Sequence, residues 1–159
     1  MDELLKLLKT NAMESPSNLA KMLSMTEGEV KGRILEYERK GVIRGYQAIV
    51  NEDSLDLDKV IAVIEVKVTP EREGGFDRVA GRISRFPEVE ALYLMSGAFD
   101  LLAFVSGSNL KEVAGFVSEK LATIEGVLST ATHFMLKTYK DRGVLMEGKH
   151  EDERLKVSP

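Results

Sequence analysis

The sequence contains no cysteine and only two histidines, His133 and His150. The lack of cysteine excludes a disulfide framework, a thiolate nucleophile and a zinc–thiolate site. Neither histidine has a second ligand at a metal-binding spacing, and the chain has no G-x-S-x-G motif, P-loop or dinucleotide fingerprint. We therefore expect no enzyme activity, no metal and no cofactor.

Long apolar runs are also missing, since no stretch approaches the ~20 residues that a membrane span requires. The first ten residues carry four charged side chains, a pattern that predicts no signal peptide. The 159 residues have a formal charge of -4, which argues against indiscriminate binding to nucleic acid or anionic membranes but leaves room for a local basic face. We expect a cytoplasmic protein without a membrane partner.

Residues 1–50 predict a winged helix-turn-helix. An i, i+3, i+4 leucine pattern indicates the first helix, and Pro16 marks the start of the second. Thr26 and Glu29 have the spacing of a capping box at the start of the third. The following segment, Val42–Val50, is rich in strand formers and predicts a small hairpin as the wing.

The pattern changes beyond the acidic segment 51–58, which predicts a linker. Residues 59–138 show the order β-α-β-β-α-β, which is typical of a ferredoxin-like domain with an antiparallel sheet and places the chain in the α+β class. The predicted elements span 60–68 (strand), 76–86 (helix), 89–95 and 99–105 (strands), 110–121 (helix) and 127–136 (strand). The C-terminal extension, residues 139–159, allows two interpretations: it is a solvated tail, or its residues Val144–Met146 add an edge strand to the sheet.

The turn between the two central predicted strands carries a lone acid, Asp100, beside apolar residues. A carboxylate in such a place is costly unless it is solvated or paired. Two interpretations stay open: Asp100 accepts backbone N–H bonds at the turn, or it receives the ammonium group of a small ligand. The hydroxyls of Ser129, Thr130 and Thr132 on the last strand offer further polar contacts.

Two other groups invite a chemical interpretation. Glu71 and Glu73, beside Gly74 and Gly75, suggest a cation site, but a polar loop explains them equally well. His133 in the last strand has the chemistry of an axial ligand or proton donor, and a histidine hydrogen-bonded within the fold is the simpler interpretation.

The order and spacing of these parts resemble the Lrp/AsnC family of prokaryotic transcription regulators over roughly residues 2–140. The match rests on the helix Leu19–Leu23, the block from Val30 to Tyr46 and the Gly97-x-x-Asp100 turn. The resemblance implies a DNA-binding helix-turn-helix and a ligand-sensing domain that dimerises through its sheet, often assembling further to tetramers or octamers. It also implies an amino-acid effector bound at subunit contacts near that turn. The effector residues carried over are Met95, Ser96, Gly97, Asp100, Thr130 and Thr132.

The third helix departs from the family pattern in ways that bear on DNA binding. Glu27, Gly28 and Glu29 stand where small polar and basic residues are usual, and position 37 holds Tyr rather than Leu. Residues 1–50 hold eight Lys/Arg and seven Asp/Glu, a net charge of only +1. We therefore expect each helix-turn-helix module to bind DNA weakly and with strong sensitivity to salt. Linking several modules in one oligomer raises the effective affinity. The DNA-binding residues that we predict are Thr26, Glu27, Lys31, Arg33, Arg39, Lys40 and Arg44.

Two other functions compete with a DNA-binding regulator. One is an oligomeric metabolite sensor that does not bind DNA. The other is an enzyme similar to sirohaem decarboxylases, which join a related helix-turn-helix to the same βαββαβ unit, and His133 is the only histidine suited to that role here.

Overall fold

The computed structural model of the protein describes residues 1–55, 57–70 and 74–146. The chain divides into two compact units, one spanning Met1–Val50 and the other beginning at Asn51. None of the described helices is long and apolar enough to cross a membrane.

The first unit contains three helices, α1 (Glu3–Thr10), α2 (Pro16–Leu23) and α3 (Glu27–Arg39). Each helix begins after a residue whose side-chain oxygen accepts a backbone N–H of the first turn, which satisfies a donor that has no partner within the helix. Their apolar faces meet in a small core of Leu4, Leu8, Leu19, Ala20 and Val30.

The hairpin predicted over Val42–Val50, with Gly45 near its turn, is wrong for this chain. The segment forms no strand, and Gly45 is not among the glycines in the left-handed region that a two-residue hairpin turn requires. The N–H groups of Val42 and Ile43 instead both donate to the carbonyl of Tyr37, at 2.8 and 3.2 Å. An isolated two-stranded hairpin is marginal in water, so local strand propensity alone does not form the wing.

The second unit has the predicted βαββαβ order, and the predicted α+β fold class is confirmed. Its strands pair antiparallel in the spatial order β2-β3-β1-β4. The elements are β1 (Val60–Val68), α4 (Asp77–Ile83), β2 (Val89–Leu94), β3 (Leu101–Gly107), α5 (Leu110–Gly115) with a π-helical continuation (Phe116–Leu121), and β4 (Val127–Phe134). The first of the two helices ends at Ile83, three residues earlier than predicted. Proline disfavours helical backbone at the residue before it, so Pro87 opposes a helix that continues to Phe86.

Alternation along β1 separates the two faces of the sheet. Ala62, Ile64, Val66 and Val68 are buried against the helices, where the rings of Phe86 and Phe116 also meet edge to face with centroids 5.4 Å apart. The residues between them on the strand point to the opposite face, as the period of two requires, and none of them is buried.

The segment predicted as a linker is attached to the second unit at its start. Asn51 Nδ2 donates to the carbonyl of Met146 at 2.8 Å, and Asp53 Oδ2 accepts the N–H of Thr138 at 3.1 Å. A 3-10 turn spans Glu52–Ser54 between these contacts. The acidic residues of this segment are therefore used in part to fix the chain.

The C-terminal extension forms its own small hairpin rather than an edge strand of the main sheet. β5 (Lys140–Asp141) pairs with β6 (Val144–Leu145), and Arg142 and Gly143 between them both have positive φ, 45° and 92°. Two such residues in succession are the signature of the hairpin turn whose twist matches the flanking strands. Residues 147–159 lie outside the described part of the chain.

Candidate DNA-binding surface and effector turn

The outward side of α3 forms a ridge of four residues, Gly28, Gly32, Leu35 and Arg39, which we call the outer ridge. Val30 is buried and lies on the opposite side of the helix, as 100° per residue requires. All four ridge residues are exposed, and a Cβ added at either glycine would meet no atom within 4 Å. The outer ridge therefore carries two open, smooth positions, one apolar side chain and one cation, and no carboxylate.

Two of the carboxylates on the flanks of α3, Glu27 and Glu36, are neutralised within the helix, whereas Glu38 accepts the hydroxyl of Tyr46 at 2.8 Å. Glu27 pairs with Lys31 at 2.5 Å and Glu36 with Lys40 at 2.6 Å, both at the i, i+4 spacing that brings side chains together. The hydrogen bond and the charge of Lys40 lower the pKa of Glu36, and those of Glu36 raise the pKa of Lys40. The acids of α3 therefore lie on its flanks, where two of them are paired with lysines, and the outer ridge itself carries no carboxylate.

Thr26 and Glu29 form hydrogen bonds with each other at the start of α3. The Thr26 hydroxyl accepts the N–H of Glu29 at 3.2 Å, and the Glu29 carboxylate accepts the N–H and the hydroxyl of Thr26 at 2.8 and 2.7 Å. The backbone hydrogen bond from Thr26 is the main cause that lowers the pKa of Glu29. The predicted role of Thr26 in DNA contact therefore competes with this capping box.

Substituting Thr26 with alanine is expected to lower the free energy of unfolding of the first unit by about 1 kcal/mol, because the N-cap acceptor is lost. Urea titration followed by far-UV circular dichroism measures the change. Thr10→Ala is the matched control, since that hydroxyl donates to the Lys6 carbonyl inside α1 rather than capping a helix start. Equal effects of the two substitutions would contradict the capping role.

Arg33 serves the fold in addition to any contact with DNA. Its Nη2 pairs with the carboxylate of Asp2, whose other oxygen caps α1 by accepting the N–H of Leu4 at 2.8 Å. The pair joins α1 to α3 across 31 positions of the sequence. Sequence periodicity has no signal for such a contact, so the prediction of Arg33 as a simple phosphate ligand missed it.

Arg39 and Arg44 differ from the other predicted cations. Neither takes part in an ion pair within the part of the chain that the structure describes. The guanidinium of Arg44 lies over Gly41, where a Cβ would come within 2.9 Å of its Cζ. Gly41 also has a φ of 67°, and this left-handed conformation favours glycine.

The turn predicted to hold the effector is tied to the centre of the sheet. The N–H of Met95 donates to the carbonyl of Asp100 at 2.8 Å, and the N–H of Asp100 donates to the carbonyl of Val66 at 3.0 Å. Gly97 has a φ of 136°, a conformation that few other residues adopt. Met95, Ser96, Gly97 and Asp100 therefore share one turn that is fixed to the sheet, and their contact with an effector stays a prediction.

The carboxylate of Asp100 has a structural partner. Its Oδ2 accepts the N–H of Val68 on β1 at 2.9 Å, so the acid bridges two strands rather than capping its own turn. This contact accounts for a carboxylate beside apolar strands, because a partly buried acceptor needs a donor. Among the described residues, no hydrogen bond engages the other carboxylate oxygen, Oδ1.

Thr130 and Thr132 lie on the other side of β1 from the turn. They pair with Val66 and Ile64 respectively, and both are part-buried. Neighbouring strands are about 4.8 Å apart, so β3 and β4, on either side of β1, are separated by about 10 Å. That separation is large for one small amino acid held within a single chain.

Of the other histidines and acids singled out in the sequence, only His133 lies among the described residues. His133 Nε2 lies 3.3 Å from Glu65 Oε1, a cross-strand pair on the face of the sheet opposite the helices. Among the described residues no group of three or more potential ligands could hold a metal ion. Glu71, Glu73 and His150 lie outside the described residues.

Comparisons with known proteins agree on one family. A family model described as the Lrp/AsnC ligand binding domain matches residues 61–145. The chain is 45% identical over 158 residues to the uncharacterized HTH-type transcriptional regulator YugG of Bacillus subtilis, covering 99% of this chain and 95% of that protein.

Two solved structures show the same fold. One is the transcriptional regulator NMB0573 of Neisseria meningitidis in complex with L-Met, with a TM-score of 0.68, 22% identity, and coverage of 89% of this chain and 93% of that one. The other is AsnC of E. coli, with a TM-score of 0.67, 21% identity, and coverage of 91% and 97%. At these identities the likeness extends to the fold alone.

Proposed function

This chain belongs to the Lrp/AsnC family of transcription regulators, and we propose that it binds specific DNA sites through α3 as a homo-oligomer and responds to an amino acid bound by its second unit. The observation that carries the DNA-binding part is the outer ridge. A helix that enters the major groove needs an outward side that reaches base edges and phosphates without repelling them. The outer ridge meets that need, because Glu27, Glu36 and Glu38 lie on the flanks of α3 and Glu29 forms part of its cap.

The two glycines of the outer ridge support a close approach to DNA. Glycine inside a helix is destabilising, and at Gly28 and Gly32 no neighbouring atom explains the absence of a side chain. A backbone surface without Cβ atoms lets the helix axis lie deeper in the groove, where Leu35 can contact the methyl group of thymine. Arg39 lies one turn beyond Leu35 and two turns beyond Gly32, where it is placed to contact a phosphate or a guanine.

Electrostatic attraction per module stays weak. The eight basic and seven acidic residues of positions 1–50 leave a net charge of +1. Two or more modules on one oligomer raise the effective affinity by orders of magnitude without new contacts. DNA binding by this protein therefore depends on its self-association.

Arg39→Ala is expected to reduce the slope of log K against log salt by about one for each module bound to DNA, because one phosphate contact is lost per copy. Fluorescence anisotropy with a labelled duplex over a series of salt concentrations measures the slope. Lys111→Ala, an exposed cation on α5 of the second unit, is the control that should leave the slope unchanged. An unchanged slope for Arg39→Ala would remove this residue from the interface.

The effector part rests on the turn around Gly97. Oδ1 of Asp100 and the backbone of the turn offer an acceptor for an ammonium group, and the name of the NMB0573 complex records L-Met bound to a regulator of this fold. Because Thr130 and Thr132 are about 10 Å from the turn within one chain, we infer that a small ligand at the turn is completed by groups of another subunit. A ligand alters DNA binding only if it binds the two assemblies with different affinity.

Selection of bound fragments from genomic DNA, with and without an amino-acid mixture, tests the proposal directly. We expect a small set of enriched fragments and a change in that set when the mixture is present. Absence of any binding at ~50 mM salt would exclude a phosphate-driven mode and leave a sensor that does not bind DNA.

A further inference from the structure

The carboxylate of Asp2 lies at a junction between α1 and α3, and 28% of this side chain is exposed. One of its oxygens accepts the N–H of Leu4 at 2.8 Å and so caps α1. The other oxygen pairs with Nη2 of Arg33 on α3. A single carboxylate therefore begins one helix and holds another.

Arg33 contacts the rest of the first unit on two sides. Its Nη2 pairs with Asp2, and its Nη1 donates to Sδ of Met25 at 3.6 Å, in the turn before α3. A planar guanidinium presents its donors in a rigid fork, so the two contacts together fix its orientation. Arg33 thus ties α3 both to the start of α1 and to the turn that follows α2.

The position of Arg33 around α3 agrees with this inward role. At about 100° per residue, Arg33 lies about 60° from the fully buried Val30 and about 100–160° from each residue of the outer ridge. Its side chain is half-buried, whereas the four residues of the outer ridge are exposed. Arg33 therefore lies closer to the packing side of α3 than to the side that would enter the groove.

The charge of Asp2 is stabilised by the groups around it. Desolvation alone would raise the pKa of this carboxyl. The N–H of Leu4, the charge of Arg33 and the hydroxyl of Tyr37 outweigh that effect, so the pKa is lowered. Asp2 is therefore ionised at neutral pH and is matched by partners on both helices.

We propose that Asp2 is a positioning residue for DNA binding, which sets through Arg33 the orientation at which the outer ridge meets base edges. The inference rests on the proposed function, because it requires that α3 enters the groove. It gives Asp2 a role opposite to the one its charge predicts. An acid near a DNA-binding helix repels phosphate, so its removal would strengthen binding if orientation did not matter.

Asp2→Asn separates the ion pair from the helix cap. Asparagine is as good an N-cap as aspartate, so the N–H of Leu4 keeps an acceptor and only the charge opposite Arg33 is lost. Fluorescence anisotropy at fixed low salt compares a labelled fragment that the wild type selects from genomic DNA with a labelled duplex of unrelated sequence. We expect the dissociation constant of the selected fragment to rise about fivefold, since a charged hydrogen bond is roughly twice as strong as a neutral one.

The unrelated duplex should not bind more weakly to Asp2→Asn than to the wild type. Phosphate contacts carry no sequence information and base contacts do, so a misplaced outer ridge lowers selectivity rather than general affinity. Glu3→Gln is the matched control, because it removes the same charge one residue further along, from an acid that pairs with Lys6 of the same helix at 2.9 Å. Its selectivity should equal that of the wild type.

Arg33→Gln completes a double-mutant cycle with Asp2→Asn. If the two residues act as a unit, the double variant binds the selected fragment no more weakly than the weaker single variant. Arg33→Gln should also keep the wild-type slope of log K against log salt. A slope reduced by about one for each bound module would show that Arg33 contacts phosphate and would overturn the inference.

Far-UV circular dichroism establishes that each variant is folded under the assay conditions. If Asp2→Asn is not folded, Tyr37→Phe takes its place, since it keeps the cap and the ion pair and removes only the hydroxyl that stabilises the Asp2 charge. Reduced selectivity of Tyr37→Phe then supports the inference, and wild-type selectivity overturns it.

The remaining outcomes separate this inference from the function it rests on. If folded Asp2→Asn binds the selected fragment as well as the wild type or better, or loses affinity equally for both duplexes, the inference is overturned while the proposed function stands. A wild type that selects no fragment and binds neither duplex at ~50 mM salt contradicts both.

Discussion

The double substitution Gly28→Ala, Gly32→Ala is expected to stabilise the first unit by about 1–2 kcal/mol and, at the same time, to weaken DNA binding about tenfold. Each alanine restricts the unfolded chain and gains roughly 0.5–1 kcal/mol in a helix relative to glycine. A Cβ at either position meets no atom of the chain within 4 Å, so no strain opposes this gain.

The loss of DNA binding follows from the same methyl groups. They stand on the outer ridge, where α3 would approach base edges, and they move the helix axis away from the groove in every bound module. A tenfold change corresponds to ~1.4 kcal/mol, shared between at least two modules of an oligomer. Urea titration gives the first quantity, and fluorescence anisotropy at fixed low salt gives the second.

Gly81→Ala supplies the matched control. Gly81 lies in α4 of the second unit and also has open space at its Cβ position, so alanine there should stabilise its own helix without changing DNA affinity. A gain in stability with a loss of DNA affinity at positions 28 and 32, together with a gain in stability alone at position 81, distinguishes a DNA-binding surface from a solvated helix face. Increased stability with unchanged affinity at 28 and 32 would mean that the outer ridge does not face DNA.

Asp100→Asn is expected to abolish the response to the amino-acid effector while the protein stays folded and bound to DNA. The amide keeps an oxygen that can accept the N–H of Val68, which the carboxylate now accepts at 2.9 Å. It removes the negative charge, and a hydrogen bond between charged groups is about twice as strong as a neutral one. The response is measured as the shift in the DNA titration produced by the amino-acid mixture.

Asp100→Ala is the contrasting variant, because it removes the charge and the structural bond together. The N–H of Val68 then loses its acceptor, at a cost of about 1–3 kcal/mol for a buried donor. We expect lower stability for alanine than for asparagine, with the effector response lost in both. A response preserved in Asp100→Asn would exclude this carboxylate as the group that binds the ammonium.

A sensor that does not bind DNA predicts a different combination of results. The glycine substitutions would stabilise the first unit without further consequence, and the effector would alter the oligomer alone. The Arg39→Ala salt slope and the glycine pair therefore test the DNA-binding part, and Asp100→Asn tests the effector part, independently of each other.

Local patterns were sufficient for the elements whose stabilising contacts are close in the sequence. The capping box of Thr26 and Glu29 acts over three residues, and the alternation along β1 reports which side chains face a core. The prediction of a hairpin over Val42–Val50 was wrong because its stability depends on more than local pattern. Strand-forming residues stabilise a sheet only when another strand is present to pair with, and this segment has no such partner within the described chain.

The roles of individual side chains depended on partners far away in the sequence. Arg33 was predicted as a phosphate ligand, and its pairing with Asp2 arises only because α1 packs against α3. The interpretation that Asp100 accepts a backbone N–H was correct in kind, but the donor, Val68, belongs to a neighbouring strand 32 residues away rather than to the turn. The interpretation that Asp100 receives an ammonium group stays a prediction.

The sequence by itself determined the helices of the first unit, the βαββαβ order, the position of the Gly97 turn and the family, since each of these is encoded in spacing over a few residues. Only the tertiary structure decided which charges of α3 are already paired and that a carboxylate oxygen of Asp100 accepts the N–H of Val68 on a neighbouring strand. Those features depend on distances between atoms of separate elements, and such distances are fixed by how the elements pack rather than by their local patterns.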